Sequence, residues 1–198
     1  MLGMRDVSDD QGEVAILFCD IVDFDKIINV EKQNIVRILD FIFREFDNIC
    51  VSHGVQKIET VGKTYMACAG LKSCEYGINK TILAINPVRR LLNSAFQMKE
   101  FMETVTYGHD GKPIKVKIGI HYGRVIAGII GYHKPQFSLI GDTVNTTSRV
   151  CSTGLNDRIT MSSEAYAFVK GSEFHFAKRE VEVNTLCYAV IFDKHSKK

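Results

Sequence analysis

Three short stretches hold the side chains able to do chemistry. In FCDIVDF, residues 18–24, the carboxylates Asp20 and Asp23 follow directly on an apolar run. A carboxylate at the C-terminal tip of a buried strand suits a hard cation such as Mg²⁺, which takes one or two protein oxygens and shares its other positions with water and substrate phosphates. Taken alone, either residue would serve equally well as a solvated strand-end or helix-capping aspartate. KIETVGKTYMACAG at 57–70 carries Glu59 and Lys63 around a glycine turn, and GRVIAGIIGYHKPQFSLIGDTVNTTSR at 123–149 carries Ser138, Asn145 and Arg149. Asn145 and Arg149, four residues apart, project from one face of a helix that Asp142 is expected to cap. An amide and a guanidinium one turn apart suit a sugar and an anionic phosphate. They would equally decorate a solvated helix face.

Several elements must position these groups. The run VAILFC at 14–19 reads as a buried strand delivering Asp20 at its end. Ile35, Leu39, Ile42, Phe46 and Ile49 mark one face of an amphipathic helix over 31–52. Residues 55–59 and 64–69 read as a hairpin whose Gly62 supplies the positive φ of a tight turn. A second amphipathic helix is expected from Ala84 to Val105, with Pro87 in or near its first turn, ended by GHDG at 108–111. A half-buried strand at 114–120 follows, in which Ile114, Val116, Ile118 and Ile120 alternate with Lys115, Lys117, Gly119 and His121. Then come the apolar run VIAGIIG, a short strand near 137–140 and a helix opening at Gly141-Asp142-Thr143. This order predicts an α+β fold: a ferredoxin-like, split βαβ core with an antiparallel or mixed sheet, helices on one face and a C-terminal extension.

With 198 residues, 45% of them hydrophobic, the chain can bury a core without disulfides or a structural metal. The 25 Lys and Arg nearly balance 23 Asp and Glu, so the net charge of +2 offers no basic field for nucleic acid. The six cysteines, at 19, 50, 68, 74, 151 and 187, show no metal-ligand spacing and read as reduced, mostly buried side chains. The N-terminus lacks the apolar segment of a signal peptide, and no stretch reaches the roughly 18 apolar residues that span a bilayer. A single domain over 12–193 is expected, with 1–11 and 194–198 as flexible ends. The expected setting is the cytoplasmic side, and the cytosolic domain of a larger membrane protein is compatible with it.

Together these segments resemble the catalytic domain of the class III nucleotidyl cyclases, the adenylyl and guanylyl cyclases, over roughly residues 13–192. The sequence GDTVNTTSR at 141–149 matches the family signature G-[DN]-T-V-N-x-x-S-R without a gap. The preceding KPQ, FCDIVDF and VGKTYMA fall in the family's order. The resemblance implies a head-to-tail dimer with active sites between domains, and attack of a nucleoside triphosphate's ribose 3′-hydroxyl on its α-phosphorus, assisted by two Mg²⁺ or Mn²⁺ ions. By the match, Asp20 is the first metal aspartate, with the Ile21 carbonyl as a further ligand. Asn145 would position the ribose, and Arg149 would neutralise charge on the α-phosphate. Glu59 and Ser138 stand at the two base-selecting positions. A carboxylate accepts from the two donors of guanine, and a hydroxyl can donate to its O6, so GTP is favoured over ATP.

Two departures from the family pattern matter. Its second metal aspartate belongs at position 63, where this chain has Lys63, a replacement also seen in the base-binding half of heterodimeric or pseudo-heterodimeric cyclases. Its late K-G-K-G segment should fall near 180–183, where this chain reads EVEV; Lys178 and Arg179 are the neighbouring cations. The resemblance therefore implies the base-binding half of a guanylate cyclase, completed by a second cyclase domain. A homodimer that tolerates Lys63, a non-catalytic pseudocyclase acting as a dimerisation module, and an adenylate cyclase homodimer are the alternatives.

Overall fold

The computed structural model describes residues 8–179 and 185–191. Along the chain run β1 (Ser8–Ile21), α1 (Phe24–Glu31), a 3₁₀ turn at Lys32–Asn34 and α2 (Ile35–Ser52). The hairpin β2 (Gln56–Val61) and β3 (Thr64–Ala69) is followed by a short α3 (Lys80–Leu83) and α4 (Pro87–Met102). Next come β4 (Thr106–Tyr107), β5 (Lys112–Pro113), β6 (Val116–Ile130), β7 (Gln136–Ile140) and α5 (Asp142–Ser152). The series closes with β8 (Ile159–Ser162), α6 (Ser163–Tyr166), β9 (His175–Arg179) and β10 (Cys187–Ile191). The main sheet has the order β2-β3-β1-β6-β8-β10-β9, with β7 added to β6. It is mixed, because β6 and β8 run parallel while the other pairs run antiparallel.

Alternation along β1 divides the core in two, because successive side chains of a strand face opposite sides of the sheet. Ala15, Leu17, Cys19 and Ile21 face a cluster built with Ile42, Phe46 and Ile49 of α2 and Leu91, Ala95 and Met98 of α4. Val14 and Ile16 face a second cluster with Met66, Cys68, Val125 and Leu139, against which Val144 of α5 packs. Helices therefore cover both faces, not one. The approach of α5 is close: a Cβ added at Gly119 would lie 2.4 Å from the Cys151 nitrogen. Only glycine permits that contact.

Other expectations shift at their edges. The helix expected over 31–52 begins in earnest at Ile35, since Lys32, at φ 44, breaks it from α1. The helix expected over 84–105 is trimmed to 87–102: Asn86 accepts from the Arg89 N–H at 2.8 Å, which fixes the start one residue before Pro87. The separate runs at 114–120 and 125–131 are one strand of 15 residues, β6. His121, expected on the polar face of a half-buried strand, is 8% exposed because that face is also covered. Cys19, Cys50, Cys68, Cys151 and Cys187 are buried, and all six cysteines are free thiols.

Candidate active site

Asp20 is the penultimate residue of β1, a strand held on both sides, opposite Thr64 of β3 and Lys117 of β6. Its Oδ1 accepts a hydrogen bond from Thr64 Oγ1 at 2.7 Å. The adjoining turn is the two residues Gly62 and Lys63, with Gly62 at φ 56, and the Lys63 carbonyl accepts from the Ile21 N–H at 3.1 Å. Lys63 thus lies against Ile21 at the end of β1, one residue beyond the Asp20–Thr64 pair, its side chain exposed. The Ile21 side chain is buried in the core on the far face. Asp23 takes no part: it adopts a left-handed conformation ahead of α1 and pairs with Lys26 at 3.1 Å.

Glu59 sits in β2 just past an irregularity in the β2–β3 register. Its Oε2 accepts from Gln136 Nε2 at 2.6 Å. Gln136 opens β7, and Ser138, two residues on, lies on the same face of that strand. The Gln136–Glu59 hydrogen bond therefore ties β2 to β7, the strand that carries Ser138, while Phe137 and Leu139 of that strand pack with the Val14–Ile16 cluster. Gln136 was not singled out in the sequence. The only cue was its place in KPQ, and its role follows from pairing between strands far apart in the chain.

Asn145 and Arg149 are both exposed on α5, one turn apart. Asp142 is the first residue of the helix and not its cap; Gly141, at φ 146, takes the cap position without a side-chain bond. The anchor of this end is Thr143, whose Oγ1 donates to the Arg124 carbonyl at 2.6 Å. At the other end, Arg179 Nη1 donates to the Thr153 carbonyl at 3.0 Å. The EVEV segment at 180–183 lies outside the described residues.

Between the hairpin and α5 is a cavity of about 200 Å³, lined by Asp20, Glu59, Thr64, Ser148 and Cys151 among others. It unites the carboxylates of Asp20 and Glu59; Ser138, Asn145 and Arg149 stand outside its lining. Burial pushes the Cys151 thiol up to about 12, so it remains neutral. Among the described residues, no group of three or more His, Cys, Asp or Glu is arranged to hold a metal ion. One carboxylate with a lysine in the adjoining turn does not fit a two-metal centre. Among the described residues, Asp20 is the carboxylate at this strand end, with neighbouring backbone carbonyls beside it.

The model of the family described as adenylate and guanylate cyclase catalytic domain matches residues 7–190. The chain is 36% identical to human guanylate cyclase soluble subunit beta-2 over 171 residues, covering 85% of this chain and 26% of that protein. It is 32% identical to guanylate cyclase beta of Plasmodium berghei over 223 residues, covering 100% of this chain and 7% of that protein. The chain thus spans about a quarter or less of these relatives' length. Among solved structures, the guanylate cyclase domain of RhGC from Catenaria anguillulae in complex with GTP superposes with a TM-score of 0.80 at 28% identity, over 92% of this chain and 98% of that one. With that match spanning nearly the whole sequence and the same fold beneath it, the chain belongs to the adenylate and guanylate cyclase catalytic domain family.

Proposed function

We propose that the chain is the base-binding half of a guanylate cyclase, forming cyclic GMP and pyrophosphate from GTP at an interface with a second cyclase domain. In this reading Glu59 accepts from guanine N1–H and N2–H, and Gln136 holds that carboxylate in place. Ser138 donates to guanine O6. Asn145 positions the ribose, and Arg149 neutralises the charge that develops on the α-phosphate. The partner would supply both metal aspartates for Mg²⁺ or Mn²⁺, ions that when bound would provide Lewis-acid stabilisation of charge on the triphosphate. The observation that carries the reading is the division within one chain: Glu59 is oriented and α5 is anchored, while Asp20 has Lys63 where a second carboxylate would be needed.

GTP is the favoured substrate because an accepting carboxylate meets adenine's N1 lone pair unfavourably, and a polar site left unpaired discriminates strongly. The names of the two relatives and the GTP held by the structural neighbour agree with that choice.

The test is Lys63→Asp. In a homodimer each interface then has two aspartates, and cyclic GMP formation is expected to switch on or rise with GTP and Mg²⁺ or Mn²⁺. Full activity of the unaltered chain alone would favour a homodimer that tolerates Lys63. A silent Lys63→Asp variant would favour the non-catalytic reading, which the absence of a metal-holding cluster among the described residues supports.

A further inference from the structure

The carboxyl end of a helix exposes unpaired carbonyls and partial negative charge. At the end of α5, cations from two different strands cover it. Lys117 of β6 donates from Nζ to the Ser152 carbonyl at 2.9 Å. Arg179 of β9 donates from Nη1 to the Thr153 carbonyl at 3.0 Å. The same turn closes on Arg149: its carbonyl accepts from Ser152 Oγ at 3.1 Å, Thr153 Oγ1 at 2.7 Å and the Thr153 N–H at 3.0 Å. The carbonyls that Lys117 and Arg179 hold thus belong to the residues that hold the Arg149 backbone.

Both cations lie on the face of the sheet that α5 covers. Lys117 is directly across from Asp20 in the β1–β6 ladder, beside the strand-end carboxylate. Its ammonium is committed to a carbonyl. Arg179 is one of the two cations next to the missing K-G-K-G segment, and its guanidinium is engaged in the same way. Lys178, its neighbour in β9, points to the opposite face by the alternation of a strand.

We infer that Lys117 and Arg179 are positioning residues that fix the last turn of α5, and with it the direction in which Arg149 leaves the helix, and that neither is a ligand for the triphosphate. This rests on the reading that Arg149 acts at the α-phosphate. Geometry of that kind has leverage, since a misplacement of about 1 Å at a reacting centre can cost on the order of 10²-fold in rate.

The experiment pairs hydrogen exchange with kinetics for Arg179→Ala, Arg179→Lys and Lys117→Met. Exchange is read in the otherwise unaltered chain at the amides of Thr153 and Gly154, which bond to the Arg149 and Cys151 carbonyls. Losing a hydrogen bond from a charged donor should speed their exchange about tenfold in Arg179→Ala and Lys117→Met, with β1 amides unchanged. In the Lys63→Asp background, kcat should fall about tenfold with KM for GTP within about twofold, and Arg179→Lys should recover most of it. Unchanged exchange at 153–154 would overturn the inference. So would a tenfold rise in KM at constant kcat, the mark of a phosphate ligand. If Lys63→Asp shows no turnover, that counts against the proposed function, and exchange at 153–154 still decides the clamp.

Discussion

The β2–β3 hairpin and helix α5 line the same cavity, yet the hairpin's turn and the helix are furnished differently. At the turn, Asp20 has one hydroxyl partner, Thr64, and an exposed lysine beside it. On α5, Asn145 and Arg149 are exposed on a helix pinned at its start by Thr143, seated on Gly119 and covered at its end by Lys117 and Arg179. On the proposed reading, one half of a catalytic apparatus keeps its scaffolding while the other half lacks its chemistry. The bond that ties the turn to Ile21 comes from the Lys63 backbone and does not depend on the side chain at that position. A change of side chain in a two-residue turn can remove a metal ligand without disturbing a single strand.

The contrast can be broken most forcefully at Arg149. In the Lys63→Asp background, Arg149→Ala should lower kcat by about 10² to 10³, the usual cost of removing a group that stabilises charge only in the transition state. A loss confined to KM would show that Arg149 binds the ground state instead. Next in size is the base pair of positions: Glu59→Lys with Ser138→Asp should shift the ratio of kcat/KM for GTP and ATP by about 10² towards ATP. Unchanged selectivity would place base recognition elsewhere.

Gly119→Ala tests the seating of α5. Its Cβ would overlap the Cys151 backbone, so a stability loss of about 1 to 3 kcal/mol is expected in denaturant titration, with activity falling further than stability alone predicts. Gln136→Ala should be milder, raising KM for GTP about threefold to tenfold through loss of one hydrogen bond to Glu59 while leaving the melting temperature in place.

The smallest effect belongs to His121, whose Nδ1 lies 2.7 Å from Ser162 Oγ and 3.7 Å from the Glu164 carboxylate. Burial lowers its affinity for a proton below the ordinary value of 6.5, and the Glu164 and Asp142 carboxylates offset this only in part. The unfolded chain therefore binds the proton more readily, and stability should fall as pH drops below about 6.5. Melting temperatures from pH 7.5 to 5.5 should show that decline, and His121→Asn should flatten it.

Much of this arrangement was legible in the sequence. The apolar run before Asp20, the glycine turn at 62 and the four-residue spacing of Asn145 and Arg149 are local signals, and each took its expected place. What escaped depends on contacts between distant residues. The alternating run through Gly119 and the apolar run after Gly123 read as separate, but Gly119 and Gly123 are where α5 approaches one continuous strand, β6. The position of α5 on the second face could not be seen, because its buried residues are mostly threonines rather than an apolar stripe. Asp142 looked like a cap because aspartate favours that position; Gly141, at φ 146, takes the place that aspartate would have filled. Gln136 and the two clamping cations act through strand pairing and helix packing, which one-dimensional spacing does not encode.

The central claim is that this chain supplies a working base-binding half and lacks a working metal half. Complementation tests it most directly: mix the unaltered chain with a Lys63→Asp, Arg149→Ala double variant and assay cyclic GMP with GTP and Mn²⁺. Each alone should be inactive, the first for want of a second aspartate and the second for want of Arg149. The mixture should be active, because one interface then combines two aspartates with an intact α5. Activity of the unaltered chain alone, or a mixture as silent as its components, would contradict the account.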